Sequence, residues 1–369
     1  MSISQYDVIV VGAGPTGSTA AFETAKAGYR VLLLERDAYP GENNSCGGGL
    51  GQFLQPKFDL PDSLIHKKIN AVRLDLGFRE KTYQAPSPIY MSIKRTEFDR
   101  FLADRAVQAG AELRVRQNAV AYDPFHKVLT ILDRETKTNW EATAHVVIFA
   151  DGVRTLARTQ CGVGVDATRD PIVALAWELS YPDNPYDAFE FIFDERKLSH
   201  GYYWVFPTTD TLNVGFGGPA RHIGRNARQW LQGFIDSRPD LKGLKPVRKT
   251  AGLIPSHVAE RFHGAGILVV GDAAGFVNPL TGGGIYIGML SAQMAARTVC
   301  EALAVGRFDN AFLSRYTRRI KTSPIYYGLH IFHALVNFTQ RYRRRTGKPI
   351  LGKVFKLYSD IGDFALRRL

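Results

Sequence analysis

The sequence predicts an α/β protein: a doubly wound parallel sheet, a smaller antiparallel β-rich domain inserted in the chain, and a helical C-terminal tail. Three observations predict this. Uninterrupted apolar runs, typical of strands buried on both faces, end at Gly, Glu or Asp. Alternating aromatic stretches fill the middle of the chain. A basic segment with helical spacing closes it.

The first strand is DVIVV at 7–11, followed at once by Gly12-Ala13-Gly14-Pro15-Thr16-Gly17 and by helical spacing from Ser18 to Ala27. Gly28 stops that helix, and RVLLL at 30–34 is the next strand, ending at Glu35. HVVIFA at 145–150 runs into Asp151-Gly152, and ILVV at 267–270 runs into Gly271-Asp272; both read as further strands of the same sheet. Between them, ALAWELS, AFEFIF, GYYWVFP and TLNVGFGG read as antiparallel strands. The division this gives is 1–165 and 261–306 for the parallel-sheet domain, 166–260 for the β-rich domain, and 307–369 for the tail.

Gly12, Gly14 and Gly17 form the G-x-G-x-x-G pattern in the context that gives it meaning: after a strand, opening a helix, with an acid 18 residues past the last glycine. Gly12 permits a tight turn, Gly14 lets backbone approach a pyrophosphate, and Gly17 lets helix and strand pack closely. The helix N-terminus, entered through Pro15, favours an anion. Glu35 would accept hydrogen bonds from ribose hydroxyls and repel a 2′-phosphate, which suits FAD or NAD better than NADP. Asp272, at the end of a buried strand, can hold the hydroxyls of a ribityl chain. Gly282-Gly283-Gly284-Ile285 opens a helix whose bare N–H groups would stabilise negative charge on a reduced flavin ring. The domain is therefore read as a Rossmann-like FAD-binding domain.

Composition bounds the rest. The chain has 369 residues, 45% of them hydrophobic, which excludes wholesale disorder. Three cysteines, Cys46, Cys161 and Cys300, exclude a disulfide framework and fit a reducing compartment. The N-terminus has no signal-peptide pattern, and no apolar run approaches the roughly 20 residues that span a bilayer. These features predict a cytoplasmic protein, soluble or peripheral at the inner face of a membrane. The net charge of +12 is localised: from Arg315 to Leu369 there are 13 Lys and Arg against two acids, whereas the preceding 314 residues hold 34 basic and 33 acidic groups. Nine aromatics accompany those cations. Ile325, Leu329, Phe332, Leu335 and Thr339 recur at helical spacing before Arg341-Tyr342-Arg343-Arg344-Arg345. Such a helix either covers the β-rich domain or docks on an anionic membrane or an acidic partner. Nucleic-acid binding has no supporting motif.

With GAGPTG, Asp151-Gly152 and Gly271-Asp272 in this order, the chain resembles the large FAD-dependent group that includes aromatic hydroxylases. Ser45-Cys46-Gly47-Gly48-Gly49-Leu50, Tyr202-Tyr203-Trp204-Val205-Phe206-Pro207 and NPLTGGGI narrow the resemblance to the geranylgeranyl reductase family over roughly Tyr6 to Ala304. The resemblance implies reduction of isolated double bonds in polyprenyl chains. It also implies FAD contacts from Arg36, Cys46, Gly47, Gly49, Arg95, Ala119, Asp151, Gly152, Gly283, Gly284 and Ile285, beside Gly12, Gly14, Pro15, Gly17, Glu35 and Asp272. Family members often carry a Lys directly after the Phe-Pro, where this chain has Thr208.

Two side chains are candidate proton sources for the carbon opposite hydride delivery: the Cys46 thiol and the Tyr202 phenol. For Cys46 the alternative is a small residue shaping the flavin pocket. Tyr202, Trp204 and Phe206 share one strand face; they read either as an aromatic wall for an isoprenoid chain, with Trp204 and Phe206 binding substrate, or as ordinary sheet packing. Arg154 and Arg158 brace the flavin phosphates or their own loop. His200, His257 and His263 lack metal-ligand spacing, so no metal is expected.

The reading is an FAD-dependent reductase of a polyprenyl lipid or prenylated cofactor, supplied with electrons by NAD(P)H or a small acidic carrier. Two rivals stay open. One is a monooxygenase or halogenase on the same fold; a halogenase should also supply a Lys for the oxidant, for which no obvious candidate stands out and Lys57 or Lys94 would need testing. The other is a membrane-bound electron-transfer or redox-sensing flavoprotein.

Overall fold

Val8, Ile9, Val10 and Val11 are all buried, because the strand that carries them, Ser4–Val11, lies in the middle of a parallel sheet. The computed structural model describes residues 4–77, 79–194, 198, 201–223, 226–348, 350–354 and 356–357. His200 and residues 358–369 of the tail lie outside that set. The described residues form an α/β protein, and the chain divides into two compact units.

The first unit comprises the chain up to Glu42, Thr96–Arg169 and Pro255–Phe332. Its main sheet runs Glu112–Arg114, Val31–Leu34, Ser4–Val11, Asn139–Phe149, Ile267–Val269, His263–Gly264. All neighbours in that order are parallel except the last pair. Chain order reverses around Ser4–Val11, the arrangement in which ligands bind beyond the carboxyl ends of the strands. Register aligns those ends: Val11 lies opposite Leu34 and Phe149, and Phe149 lies opposite Val269. Glu35, Asp151 and Asp272 all follow these strand ends within three residues.

The helix Pro15–Lys26 starts with proline at its first turn, where no intrahelical N–H is lost, and yields to Gly28 at φ +89°. The sequence places residues 307–321 in a separate tail, but the helix Asn310–Lys321 belongs to this unit. Asp309 caps it through Phe312 N at 2.9 Å. Phe312, Leu313, Tyr316 and Ile320 enter the core, and the buried Tyr316 hydroxyl donates to the Val269 carbonyl at 2.9 Å.

The second unit comprises Asn43–Arg95, Asp170–Ile254 and the chain from His333 onward. Its seven-stranded sheet runs Pro246–Ile254, Ile172–Ser180, Thr211–Pro219, Tyr202–Pro207, Ala188–Ile192, Ala71–Asp75, Glu80–Gln84. Pairing is antiparallel except between Ala188–Ile192 and Ala71–Asp75. Residues 43–95, read from the sequence as part of the parallel-sheet domain, thus contribute two strands to the other sheet. The strand AVRLD is short, with Arg73 and Asp75 interleaved, so its apolar signal is weak although Ala71, Val72 and Leu74 are buried. One face of this sheet packs Leu175, Trp177, Tyr203, Val205, Val214 and Phe216 against Leu231 and Ile235 of the helix Ala227–Ser237. The opposite face carries Tyr202, Trp204, Phe206, Phe189 and Phe191.

The last long helix is Pro324–Thr346. Ile325 and Leu329 pack into the core of the first unit, whereas the helix from His333 onward belongs to the second. Among the described residues no helix is long and apolar enough to cross a membrane.

Candidate functional site

The predicted residues fall into two groups, one in each unit. In the first unit, the glycine turn is fixed by sterics. A Cβ on Gly17 would lie 1.8 Å from the Gly12 carbonyl oxygen, and one on Gly12 would lie 2.5 Å from the Ala150 oxygen, with φ at +98°. Gly14 differs, because a Cβ there would meet nothing within 4 Å. Gly14 is also the N-cap of Pro15–Lys26, and no side chain caps that helix. Its first N–H groups therefore face open space at the positive end of the helix dipole.

Glu35 is buried beside this turn. Its Oε2 accepts from Ala13 N at 3.1 Å and its Oε1 from Asp37 N at 3.0 Å. Burial pushes its carboxyl up against the lowering effect of those two N–H groups. Arg36 beside it is exposed.

Among the described residues, Asp151 has only one of its two carboxylate oxygens paired. Its Oδ2 accepts from Leu156 N at 2.7 Å, while Oδ1 is sequestered from solvent and finds no donor among the described residues. Burial raises its pKa to about 6. Gly152 follows at φ +79°. Thr155 caps the next short helix through Ala157 N at 3.3 Å. Arg158 lies 3.9 Å from Asp166, which favours the loop-bracing reading for that arginine.

Asp272 sits in the turn Gly271–Ala274, and Gly284 packs so closely that a Cβ there would lie 3.0 Å from Asp272 Oδ1. The loop between them is ordered by Asn278, whose Oδ1 accepts from Leu280 N at 2.9 Å and whose N donates to the Gly283 carbonyl at 3.0 Å. Gly284 is the N-cap of Ile285–Val305, again without a side-chain cap. Thr16 joins this loop to the glycine turn: Cβ atoms on Gly271 and Gly288 would lie 2.7 and 2.3 Å from its Oγ1. Ala119, half-buried on the strand Gln117–Asp123, packs against the same core.

These observations fit FAD. Two uncapped helix N-termini suit a pyrophosphate and an electron-rich ring, the open space at Gly14 admits the phosphates, and the orphaned Asp151 oxygen can accept from a ligand donor.

In the second unit, the loop carrying Cys46, Gly47 and Gly49 lies on the aromatic face of the sheet. Ser45 Oγ donates to the Ala174 carbonyl at 3.5 Å. A Cβ on Gly47 would lie 2.9 Å from the Phe206 ring, and one on Gly49 would lie 2.8 Å from Phe189. Cys46 Sγ accepts from Gly48 N at 3.4 Å. Trp204 and Phe206 are buried under this loop. Phe206 stacks on Phe189 at 4.3 Å and meets Phe191 edge-on at 5.1 Å, while Tyr202 contacts Phe191 at 5.5 Å and Trp204 at 6.1 Å. Burial, and secondarily Cys46, push the Tyr202 phenol above its usual range. Arg95, which ends the first segment of this unit, opens the helix Arg95–Gln108.

Sequence reasoning missed Asn213. Its Nδ2 donates to the Cys46 carbonyl at 2.9 Å and its Oδ1 accepts the Trp204 indole N–H at 2.8 Å. The only sequence signal is a polar residue inside TLNVGFGG. Lys94, one of the two lysines to be tested under the halogenase reading, pairs with Asp210 at 2.8 Å. Among the described residues no group of three or more His, Cys, Asp or Glu is placed to hold a metal ion.

Known proteins share this architecture and much of its sequence. Residues 60–323 match the family described as FAD binding domain, and residues 7–74 match that described as FAD dependent oxidoreductase. The chain is 34% identical to digeranylgeranylglycerophospholipid reductase 2 of Methanothermobacter thermautotrophicus, over 85% of this chain and 83% of that protein. It is 31% identical to digeranylgeranylglycerophospholipid reductase of Methanocaldococcus jannaschii, over 86% and 82%. The crystal structure of a geranylgeranyl bacteriochlorophyll reductase-like protein from Thermoplasma acidophilum superposes with a TM-score of 0.82 at 27% identity, covering 90% of this chain and 88% of that one. A flavin-dependent brominase reaches a TM-score of 0.75 at 19% identity, covering 98% and 94%, a likeness of fold alone.

Proposed function

Because the chain belongs to the family of digeranylgeranylglycerophospholipid reductases, which are FAD-dependent oxidoreductases, we propose that it saturates carbon–carbon double bonds of a polyprenyl lipid. When bound in its reduced form, FAD would supply the hydride. The observation that carries the reading is the match to these reductases over 85% of the chain and 83% of the relative.

Gly12, Gly14, Pro15 and Gly17 would hold the pyrophosphate, Glu35 and Arg36 the adenosine sugar and its surroundings, and Asp272 the ribityl chain. Gly283, Gly284 and Ile285 would present N–H groups to the ring. Asp151, Gly152, Ala119, Arg95 and the Cys46, Gly47 and Gly49 loop complete the proposed contacts. An isolated alkene has no carbonyl to polarise, so the chain's own contribution is orientation, exclusion of water and a proton. Trp204 and Phe206 supply an apolar, rigid surface for the isoprenoid. The proton is held at Cys46 Sγ or Tyr202 Oη, and the raised pKa of the phenol keeps it protonated through neutral pH. Electrons come from an external donor, NAD(P)H or a small acidic carrier. A prenyl-lipid substrate favours a working position at the inner face of an anionic membrane.

The test is direct. The purified yellow protein is reduced anaerobically and offered prenyl lipids with free, phosphorylated and glycerol-linked heads. Flavin reoxidation coupled to a product heavier by two hydrogens per bond is the expected result. Reoxidation by oxygen alone, with no lipid product, would overturn the reading.

A further inference from the structure

The helix Pro324–Thr346 has apolar residues on two opposite sides. Ile325 and Leu329 enter the core on one. On the other, Tyr327, Ile331, Leu335 and Phe338 are 61%, 60%, 37% and 56% exposed. Their spacing places them within an arc of about 80° and along about 16 Å of helix axis. A row of large apolar groups held in water on a well-formed helix marks a surface made to be covered.

The charge at the end of this row indicates the cover. Arg341, Arg344 and Arg345 are exposed in the last turns, with Arg343 beside them, and the helix contains no acidic residue. In the second unit, His222 and Arg221 of the short helix Ala220–Ile223 lie within reach of this charge. His222 is held below the usual imidazole range by burial and by Arg221, Arg343 and Arg344. Arg221 is itself paired with Asp170, and the exposed arginines Arg341, Arg344 and Arg345 lie at the C-terminal end of the long helix. A cover must therefore accept apolar side chains in a line and present negative charge at one end of it. A bilayer with anionic headgroups does both, and an interfacial helix with aromatic and aliphatic groups beside arginines is built for that boundary.

We propose that the outward face of this helix docks the protein on an anionic lipid bilayer, with the Tyr327–Phe338 row sunk toward the acyl chains and the arginine end on the lipid phosphates. The proposal deepens the prenyl-lipid reading: it supplies the surface from which such a substrate is drawn. Its geometry does not depend on that reading.

The experiment uses the full-length, FAD-loaded protein and two double variants, Ile331→Gln with Phe338→Gln, and Arg344→Glu with Arg345→Glu. Flotation is measured with vesicles of equimolar phosphatidylglycerol and phosphatidylcholine, and with phosphatidylcholine alone, at low and high salt. The wild type should float with the anionic vesicles only and less at high salt. Each double variant should lose about tenfold or more in partitioning, while reduction of a detergent-dispersed prenyl lipid stays at the wild-type rate. Wild-type protein that stays unbound, or variants that float like it, overturn the docking surface. So does an apolar pair whose loss changes only self-association in sedimentation, or an arginine pair whose loss slows only reduction by an acidic carrier. Vesicle binding as expected with no prenyl lipid reoxidising the flavin would overturn the functional reading and leave the docking surface standing.

Discussion

Asn213 fastens Cys46: its Nδ2 donates to the Cys46 carbonyl at 2.9 Å across 167 residues of sequence, while its Oδ1 accepts the Trp204 indole N–H at 2.8 Å. One buried amide thus sets both the height of the Cys46 loop above the sheet and the rotamer of the ring beneath it. Asn213→Ala strands a buried indole N–H and a carbonyl, at a cost of about 1–3 kcal/mol in denaturant titrations. Asn213→Asp is more informative. It keeps an acceptor for Trp204 and removes the donor to Cys46, so tryptophan emission should stay near wild type. The Cys46 thiol should label faster and prenyl-lipid turnover should fall. Unchanged labelling and turnover in the Asp variant would show that the amide does not position the loop.

The two outer glycines and the middle one of the N-terminal turn fail differently when given a methyl group. A Cβ on Gly17 meets the Gly12 oxygen at 1.8 Å, so Gly17→Ala must displace the turn itself, and the stripped protein should already melt lower. A Cβ on Gly14 meets nothing within 4 Å. Gly14→Ala should therefore leave the stripped protein within about 0.5 kcal/mol of wild type. It should weaken FAD binding at least tenfold in a fluorescence titration, because the methyl group occupies the space the phosphates need. Wild-type FAD affinity in Gly14→Ala would remove the pyrophosphate from that position.

Four strands of the parallel sheet were legible because their signal is local: each is an apolar run that meets Gly or an acid, and the ligand-facing residues come next in sequence, whereas the edge strand Glu112–Arg114 carries no such run. Residues 71–75 were not, because a five-residue strand carrying Arg73 and Asp75 gains its meaning only from its pairing with 188–192. Asn213 was hidden for the same reason, since its partners are set by sheet register and by a loop far away in sequence. The last helix misled in a third way. Spacing grouped Leu335 with the inward-facing Ile325 and Leu329, yet Leu335 is exposed with Tyr327 and Ile331. Apolar residues on two faces blur a single 3.6-residue period.

Cys46 and Tyr202 make separable claims on the proton. Cys46→Ala and Tyr202→Phe both leave the aromatic face filled, so neither should bleach the protein. Removing the true donor should slow lipid-dependent flavin reoxidation by about 10²–10⁴-fold. Removing the other should change it less than about tenfold. Because burial holds the Tyr202 phenol above its usual range, a Tyr202-dependent rate should show no falling limb up to pH 9. Stopped-flow mixing of reduced protein with prenyl lipid measures this. Equal, near-wild-type rates in both variants would remove both side chains from the proton transfer.

Asp151 carries a cost in the stripped protein that a bound cofactor can offset. Its Oδ1 has no donor among the described residues and its pKa is raised to about 6 by burial, from an ordinary value of 3.8. A carboxyl with a raised folded-state pKa binds more protons folded than unfolded between those two values, so its contribution to stability falls as pH rises through that window. Asp151→Asn stays neutral throughout and keeps an acceptor for Leu156 N. In the stripped protein the variant should match the wild type near pH 4 and gain on it up to pH 6. Above that the advantage should hold steady at about 2–3 kcal/mol, from roughly 1.4 kcal/mol per pKa unit. If the carboxylate accepts from FAD, the same variant should bind FAD more weakly, so loading should reverse the order of melting temperatures. Melting curves of stripped and loaded forms across this range decide it. A variant no more stable than wild type at pH 7 when stripped would show that the carboxylate is solvated after all, and an unchanged order on loading would take Asp151 out of the cofactor's contacts.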